Sequence, residues 1–497
     1  MTAPTLSIVL NLHNEARYLR RTIASLRDAI SFALVTRLNV ELIVILDRPD
    51  KFTQSVLQDI DLSFVPYRIA VVDHGSLGLS RNAGVALAEG EYVAFADADD
   101  LVSFNFFSAC YEIVKKTPDA GVFPEYLLAF GARCHLVQYR DADTFSNRAF
   151  FDVNPFTSRL FIRRTILLDT PYVRTKHNGI YAYEDWHLNA TLAAKNISLM
   201  VAPDAWLFYR QRPESIMAAV GKSRRIPYSL YFSPTIYRSI ANRPIKPARR
   251  PRMEKQVLLQ SMVVTELLHA ANAIDSAINV ELLHSAAHWF PPVDSTPNGD
   301  AYLEVCEVLS HTNYDHVALV SFVSTTGAVS TRGKSDFLVK SLSKLQSDQD
   351  GNARLLVLGG EAYKDDALSQ LTTKNCDFLD LYEIAKRRGA DVLQLALRTI
   401  QSVVPGAQLH LMPCSFAMNY FSMYGKTDDD QVVFFYAPNS ECVHLNGRAF
   451  IESEIDSFIA DSGAELDQIM SDSLIELGRI KRMADLPRTT YHVIAEN

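Results

Sequence analysis

The chain has 497 residues, of which 48% are hydrophobic and 21% charged, and its formal net charge is −8. This length predicts two or three domains that each bury a core, and the acidic balance argues against nucleic acid as a partner. No run approaches the roughly 18 uninterrupted apolar residues of a membrane-spanning helix, and the six scattered cysteines indicate reduced thiols in a cytoplasmic protein.

The first hundred residues alternate strand and helix patterns. Short apolar runs rich in β-branched residues are typical of buried strands, and the segments between them carry apolar residues at helical spacing. Repeated βα units of this kind predict a parallel, doubly wound sheet. The expected strands are residues 6–12, 40–46, 69–72 and 92–96, and the expected helices are residues 15–26 and 78–88.

Acidic residues follow two of these strands. Asp97, Asp99 and Asp100 end the run at 92–96, and Asp47 ends the run at 40–46. Ligands of open α/β sheets collect beyond the carboxyl ends of the strands, so both acidic ends are expected to open on one crevice. Carboxylates crowded there suit a hard divalent cation that holds a diphosphate. An acidic turn that caps the next helix is the alternative interpretation.

The middle of the chain is mixed in pattern, with a clear helix at residues 186–194. A basic, proline-rich segment at residues 243–252 cannot lie inside a helix or a sheet. We interpret it as the end of the first domain, either a solvated linker or a contact for anionic lipid. Apolar spacing after it predicts one long connecting helix to about residue 281.

A second α/β pattern begins near residue 316. A Gly-containing loop at residues 325–333 follows its first strand and leads into a helix that reaches residue 345, and residues 452–483 are acidic and helical in pattern. The loop lacks the lysine spacing of a phosphate-binding P-loop. The expected strands are residues 317–323, 354–358, 376–381, 408–412 and 432–436.

Four ordered blocks in the first hundred residues resemble family 2 glycosyltransferases. They are SIVLNLHNE at 7–15, ELIVILD at 41–47, GLSRNAG at 78–84 and GEYVAFADADD at 90–100. The resemblance covers roughly residues 5–235 and implies a GT-A nucleotide-sugar-binding domain. Asn11 and Leu12 replace the usual Pro-Thr of the first block, which leaves the base preference open.

The resemblance also implies roles for individual residues. His13, Glu15 and Asp47 stand where the family contacts the nucleotide base, and Arg81 stands near the nucleotide. Without the resemblance, Asp47 reads as a turn residue and Arg81 as a solvated helix charge. Asp97-Ala-Asp99 matches the DxD motif, in which Asp97 faces the ribose or the metal and Asp99 binds Mn²⁺ or Mg²⁺.

Two later segments complete the implied site. YEDWHL at 183–188 resembles the Glu-Asp pair at the start of a family helix, which makes Asp185 the expected catalytic base and Glu184 the second choice. The ordinary alternative is a helix whose first turn is acidic because of its dipole. In FYRQRPES at 208–215, Arg212 replaces the family's histidine and is suited to grip diphosphate oxygens. Asn154 and Arg159 are expected to line the acceptor cleft.

These observations predict an α/β chain of three parts. The parts are a GT-A glycosyltransferase domain at 1–240, a basic linker with connecting helices at 241–312, and a Rossmann-like domain at 313–497. The last part weakly resembles the N-terminal Rossmann-like half of GT-B glycosyltransferases. Two alternatives are expected for this part. Either it is a non-catalytic acceptor-holding or assembly unit, or the native polypeptide continues past residue 497.

The expected activity is inverting, metal-dependent sugar transfer in surface polysaccharide synthesis. A nucleoside-diphosphate sugar is the expected donor and a glycan or lipid-linked oligosaccharide the expected acceptor, in the cytoplasm or at the inner face of its membrane. Peripheral membrane contact and self-association stay open as further interactions. A catalytically silent sugar-nucleotide-binding or assembly module and a nucleotidyltransferase are the alternatives, although no Gly-rich loop with a lysine favours the latter.

Overall fold

A computed structural model gives the fold for most of the chain. The contacts between its residues divide it into two compact units. The first unit comprises Met1–Tyr231 and Ser239–Thr296, and the second comprises Phe232–Arg238 and Pro297–Asn497. The residues described are 4–174, 183–213, 226–289, 296–309, 314–320, 341–342, 353–362, 375–403, 408–426, 431–435, 442–445, 448–451, 454–471 and 473–494.

The first unit is built on a mixed sheet that has ten strands within the described residues. Its main path runs β10-β7-β6-β8-β4-β1-β2-β3, while β9 pairs with β5 and β6. β4, β1, β2 and β3 are mutually parallel, as the sequence predicts. The strands are β1 (Leu6–Leu12), β2 (Val40–Asp47), β3 (Tyr67–Val72), β4 (Tyr92–Asp97), β5 (Leu101–Val102), β6 (Gly121–Gly131), β7 (His135–Gln138), β8 (Phe161–Arg163), β9 (Leu199–Gln211) and β10 (Ala287–Trp289).

Helices cover this sheet and continue beyond it along the chain. Those predicted at 15–26, 78–88 and 186–194 are present, and the first of them extends further, to Val35. The helices up to residue 296 are α1 (Ala16–Val35), α2 (Lys51–Gln58), α3 (Leu77–Leu87), α4 (Phe106–Val114), α5 (Arg164–Asp169), α6 (Glu184–Ala194), α7 (Pro234–Ala241), α8 (Lys255–Leu259), α9 (Met262–Ile274) and α10 (Val280–Ser285).

The segment predicted as one long helix to about residue 281 is three helices, so that prediction is wrong. Ser261 lies between α8 and α9. It is the N-cap of α9, and its hydroxyl accepts a hydrogen bond from the Val264 N–H. Asn279 caps α10 in the same way through Leu282 N–H. Ser and Asn favour caps over helix interiors because their side chains compete for backbone groups.

These three helices belong to the core of the first unit. Leu258, Leu267 and Leu268 are buried in one apolar cluster with Tyr126 and Trp206 of the sheet. The apolar spacing that predicts a helix therefore marks a face packed on β6 and β9. Because these contacts join residues 239–296 to the first unit, we treat the segment as part of it; the domain limits at 240 and 312 stay predictions.

The basic segment at 243–252 is neither helix nor sheet, but it is tied to the first unit along its length. Arg249 pairs with Asp141, whose carboxylate is buried. Arg250 pairs with the buried Glu125 at 2.9 Å, and the Lys246 N–H donates to the Asp143 carbonyl at 2.7 Å. The segment is therefore held against the first unit and is not a free linker, although most of its residues are exposed to solvent, as a solvated segment predicts. The carboxylates that pair with it are distant in sequence and could not be predicted.

The second unit contains a parallel sheet with seven strands in its described part. The strand order is β13-β12-β11-β14-β15-β18-β19, the 3-2-1-4-5 order of a doubly wound fold extended by two strands. The strands are β11 (His316–Val320), β12 (Leu355–Gly359), β13 (Cys376–Asp380), β14 (Gln408–Leu411), β15 (Gln431–Phe435), β18 (Gln468–Ser471) and β19 (Thr490–Val493), and β16 (Cys442–Leu445) and β17 (Arg448–Ile451) form a separate hairpin.

Four strands of this unit are missing from the sequence prediction, namely β18, β19 and the two strands of the hairpin. β18 lies inside the region predicted to be helical at 452–483, and β19 follows it. The Gly-containing loop at 325–333 lies outside the described residues, as does most of the helix predicted after it. The helices of this unit are α11 (Pro297–Val308), α12 (Leu381–Arg388), α13 (Val392–Val403), α14 (Ser415–Tyr424), α15 (Glu454–Ser462) and α16 (Leu474–Met483).

None of the helices described is both long and apolar enough to cross a bilayer.

Close contact between α3 and β1 fixes the helix that carries Arg81. A Cβ added to Gly84 of α3 would lie 2.2 Å from Cγ1 of Val9. We expect Gly84→Ala to destabilise the first unit by about 1–3 kcal/mol, because a buried helix cannot shift without disturbing its neighbours. All three tryptophans lie in this unit, so the midpoint of denaturant unfolding followed by their fluorescence measures the effect.

Gly478 of α16 supplies the matched control. The nearest atom to a Cβ added there is Arg482 Nη1 at 3.7 Å, so Gly478→Ala makes only an ordinary van der Waals contact. It is expected to leave the tryptophan transition unchanged and to stabilise its own unit by up to about 1 kcal/mol. An unchanged tryptophan transition in Gly84→Ala would contradict the described packing.

Candidate active site

The acidic strand ends meet at one edge of the sheet. β1 lies between β4 and β2, with Asn11 level with Asp97 and Leu12 level with Leu46. Asp47 and Asp97 therefore lie on strands separated only by β1, roughly 10 Å apart at typical strand spacing. The shared edge predicted from the sequence is present, although the two strands flank a third and are not neighbours.

Asp47 binds the turn that leads into α3. Its Oδ1 accepts the N–H groups of His74 and Gly75 at 2.9 and 3.0 Å, and its Oδ2 accepts Ser76 N–H at 3.1 Å and Ser80 Oγ at 2.7 Å. Burial would raise the pKa of Asp47, but these bonds hold it below its usual value. Four donors fill the capacity of a carboxylate. Its contact with a base stays a prediction.

The loop after β1 connects Asp47 to the DxD turn. His13 contacts the Asp47 carbonyl through Nδ1 at 2.6 Å, and its N–H donates to Glu15 Oε2 at 2.6 Å. Burial raises the pKa of Glu15. Arg212 Nη2 lies 2.7 Å from Asp99 Oδ2 and 4.0 Å from Glu15 Oε1. The structure thus brings His13, Glu15, Asp99 and Arg212 together.

Arg81 is fully buried and joins two parts of the site. Its Nη1 donates to Glu184 Oε1 at 3.0 Å, and its Nη2 donates to Asp97 Oδ1 at 3.2 Å. The guanidinium also lies over the rings of Phe95 and Tyr172. The interpretation of Arg81 as a solvated helix charge is therefore wrong.

Arg159 is a second buried cation at the DxD turn. Its Nη1 lies 2.6 Å from Asp97 Oδ2 and its Nη2 lies 2.5 Å from Asp100 Oδ2. Burial would raise the pKa of Asp97, but Arg159 and Arg81 lower it to about 2. Because Arg159 is only 1% exposed, it binds the acidic turn and does not line an open cleft. Nothing in its sequence surroundings indicates this role.

Glu184 and Asp185 begin α6 and have different surroundings. Glu184 is paired with Arg81, whereas Asp185 accepts an amide hydrogen from Asn154 Nδ2 at 3.1 Å. Burial, followed by the charge of Glu184, raises the pKa of Asp185 to about 6. Asn154 is itself held by Asn189 Nδ2 at 3.1 Å, so Asp185 has a fixed neutral partner.

Tyr183, immediately before this pair, has a left-handed backbone with φ of 64°. Such a conformation is uncommon for a bulky residue and is concentrated at functional sites.

Asn11 is an unusual member of the site edge. It is 6% exposed, and neither its amide oxygen nor its amide nitrogen has a hydrogen-bond partner among the described residues. Its position level with Asp97 places it on the central strand of the site edge. A buried amide without partners lowers stability. The sequence marks this position only as a departure from the Pro-Thr pattern.

The site contains hard oxygen donors suited to a divalent cation. Asp97 has both carboxylate oxygens engaged by buried arginines, whereas Asp99 Oδ2 is paired with the partly exposed Arg212. No group of three His, Cys, Asp or Glu side chains able to hold a metal occurs in the described part of the chain. Mg²⁺ sites commonly use one or two carboxylates together with substrate phosphates, and Asp99 fits such a site.

Parallel βα units bring carboxylates and arginines to one sheet edge, and this is the edge at which open α/β sheets bind their ligands. The family model Glycosyl transferase family 2 matches residues 7–170. These residues are therefore a family 2 glycosyltransferase domain, and the resemblance found in the sequence is confirmed for this part. The GT-B likeness of the C-terminal half stays a prediction.

Individual relatives share only part of the chain. The putative glycosyltransferase EpsH of Bacillus subtilis (strain 168) is 24% identical over 119 residues, which is 24% of this chain and 32% of the relative. The chain thus matches about a third of the length of this relative.

Similarity to solved structures is weak. Staphylococcus aureus TarS 1–349 in complex with UDP-GlcNAc is 15% identical, with a TM-score of 0.35 over 54% of this chain and 73% of that chain. The mannosyltransferase PcManGT from Pyrobaculum calidifontis, in complex with GDP-Man and Mn²⁺, is 13% identical, with a TM-score of 0.34 over 43% and 59%. At these scores, neither substrate nor mechanism carries over to this chain.

The unpartnered amide of Asn11 makes a testable prediction about stability. We expect Asn11→Leu to raise the free energy of unfolding of the first unit by about 1 kcal/mol, because an apolar side chain of similar size removes an unsatisfied buried amide. Tryptophan fluorescence during urea unfolding measures this change. The matched control is Asn189→Leu, which removes a buried amide that is bonded to Asn154 and should destabilise the unit. Equal losses in both variants would contradict the assignment.

Proposed function

We propose that the first unit is an inverting, metal-dependent glycosyltransferase. It transfers a sugar from a nucleoside-diphosphate sugar to a hydroxyl of a glycan or lipid-linked acceptor in surface polysaccharide synthesis. The family match at residues 7–170 supports sugar transfer. The finer assignments depend on the geometry of the site.

The main observation behind this proposal is that the adjacent acids Glu184 and Asp185 have different partners. Two adjacent acids whose environments differ are the usual arrangement when one of them exchanges a proton. Glu184 is neutralised by Arg81, whereas Asp185 has an amide partner and a pKa raised to about 6. A carboxylate with that pKa is mostly ionised at neutral pH and is still basic enough to accept a proton. Asp185 is therefore the proposed catalytic base.

Residues on the other side of the edge form the proposed donor site. His13 and Glu15 lie on the loop after β1, next to Arg212, and are proposed to contact the nucleotide base. The exposed fraction of the Arg212 side chain is 34%, so its guanidinium is accessible to a diphosphate, which it can bind through two oxygens. Asp47 is proposed to contribute to donor binding by holding the turn at 74–76 in place.

Asp99 is the proposed direct ligand for Mn²⁺ or Mg²⁺, and Asp97 is proposed to face the ribose or the metal. When bound, such a cation neutralises the charge that develops on a departing nucleoside diphosphate. Asp97 is held by Arg81 and Arg159, so it stays ionised and fixed beside the cation site.

The chain's own residues account for the remaining steps. Asp185 removes the proton from the acceptor hydroxyl as its oxygen attacks the anomeric carbon of the sugar. The bond from that carbon to the diphosphate oxygen breaks with inversion, its electron pair stays on that oxygen, and the Arg212 guanidinium is proposed to stabilise the resulting negative charge by pairing with it. Holding both reactants in line supplies a large part of the rate enhancement.

The proposed location is the cytoplasm or the inner face of its membrane, where a lipid-linked acceptor is presented. The basic segment at 243–252 gives no support for lipid contact. Three of its cations, Lys246, Arg249 and Arg250, are paired with carboxylates of the first unit. Recognition of a lipid-linked acceptor would therefore have to use other surfaces. Self-association stays a possible further interaction.

A thermal-shift screen of nucleotide sugars with and without Mn²⁺ tests the donor site. We expect one nucleotide class to raise the unfolding temperature of the wild-type protein, more strongly with Mn²⁺, because binding to the folded state stabilises it. Asp99→Ala should remove the Mn²⁺-dependent part and abolish transfer. Asp204→Ala removes a carboxylate away from the site edge and serves as control. A stabilising donor that is neither transferred nor hydrolysed would indicate a catalytically silent binding module.

The pH dependence of transfer tests the base. Below a pH of about 6 Asp185 is protonated, so kcat/KM should fall about tenfold per pH unit there and level off above it. Asp185→Asn should lower kcat by about 10²–10⁴-fold and retain nucleotide binding. In Glu184→Gln the acidic limb should persist. Wild-type turnover in Asp185→Asn, or loss of the limb only in Glu184→Gln, would move the base to Glu184.

A further inference from the structure

Asp275 is a buried acid that the family match does not include. It follows α9, and it is 5% exposed. Its Oδ2 lies 2.6 Å from Arg210 Nη2 and 3.5 Å from Arg21 Nε, while its Oδ1 accepts Ala277 N–H at 3.1 Å. Since a buried carboxylate must be paired, Arg210 is held in place by this contact.

Arg210 connects Asp275 to the DxD turn. Its Nε donates to the main-chain carbonyl of Asp99 at 3.0 Å, and its own N–H donates to Asp100 Oδ1 at 2.7 Å. The guanidinium is planar, so fixing Nη2 on Asp275 also fixes the direction in which Nε points. The rings of Tyr18 and Phe130 lie 4.7 and 4.4 Å from the guanidinium and restrict it further.

The turn itself has few bonds of its own. Within it, Asp100 N–H donates to the Asp97 carbonyl at 3.4 Å, which is a long bond. Arg159 binds the side chains of Asp97 and Asp100, and Thr22 Oγ1 donates to the Asp100 carbonyl at 3.0 Å. Arg210 is the contact that acts on the backbone of Asp99 itself, through its carbonyl. If Asp275 were removed, the Arg210 side chain could adopt other rotamers, in which its Nε does not reach the Asp99 carbonyl.

We propose that Asp275 is a positioning residue for donor binding. It orients Arg210, which fixes the Asp99 carbonyl and so aims the Asp99 side chain at the cation and the diphosphate. This inference rests on the proposed function of Asp99. If Asp275 has this role, the residues that contribute to donor binding include the segment of α8–α10, which follows the basic segment in the chain.

The test is a double-mutant cycle read out by nucleotide binding. Isothermal titration of UDP and of GDP, each with Mn²⁺, gives the Kd for wild type, Asp275→Asn, Arg210→Lys and the double variant. We expect each single variant to raise the Kd about tenfold. The double variant should lose no more than Arg210→Lys alone, because Asp275 acts through Arg210. Glu266→Gln, an exposed acid on α9, is the control and should leave the Kd unchanged.

The outcomes separate this inference from the proposed function. A wild-type protein that binds neither nucleotide overturns the proposed function, and the inference with it. A wild-type Kd that Asp275→Asn leaves unchanged, or losses that add in the double variant, overturn only the inference. If Asp275→Asn does not fold, Arg210→Lys still decides the matter, because an unchanged Kd in that variant shows that Arg210 does not position the turn.

Discussion

The structure of the site depends on one buried cation. Arg81 has no exposure to solvent and is balanced by Glu184 on one side and Asp97 on the other. A buried guanidinium without these partners would cost several kcal/mol, so α3, β4 and the start of α6 must assemble together. The same residue pairs with Glu184, whereas its neighbour Asp185 accepts a hydrogen bond from the neutral amide of Asn154. The two ion pairs of Arg81 thus connect α3, β4 and α6 and also distinguish Glu184 from Asp185.

The acidic turn shows how the fold tolerates crowded carboxylates. Asp97 and Asp100 share Arg159, while Asp99 pairs with Arg212. Arg159 is buried and fixed, whereas Arg212 is one-third exposed. Buried ion pairs contribute little net stability but fix geometry when every member is satisfied. Arg159 is therefore part of the buried framework of the turn, whereas Arg212 pairs with Asp99 and stays accessible to solvent.

The sequence predicts the parallel core well because its strands are continuous buried runs. β1 and β2 are buried along their whole length, so apolar runs alone locate them, and the acids that end β2 and β4 locate the edge. Partners distant in sequence are not predictable in this way: Arg159 meets Asp97 across 62 positions, and only the fold brings them together. β18 has only four residues and lies between two helical patterns. An alternation of apolar and polar residues cannot be recognised over so short a segment.

The arginines that pair with the acidic turn show that residues 7–170, which the family model matches, do not contain the whole candidate site. Residues 7–170 include Asp97, Asp99 and Asp100 but end before Arg210 and Arg212. Without these arginines, Asp99 would lose its salt bridge and Asp100 the backbone N–H bond from Arg210. Arg210 in turn needs Asp275, which lies on the segment that an apolar cluster fixes to β6 and β9. The smallest piece that satisfies every charge at this edge therefore extends past the basic segment to the helices after it.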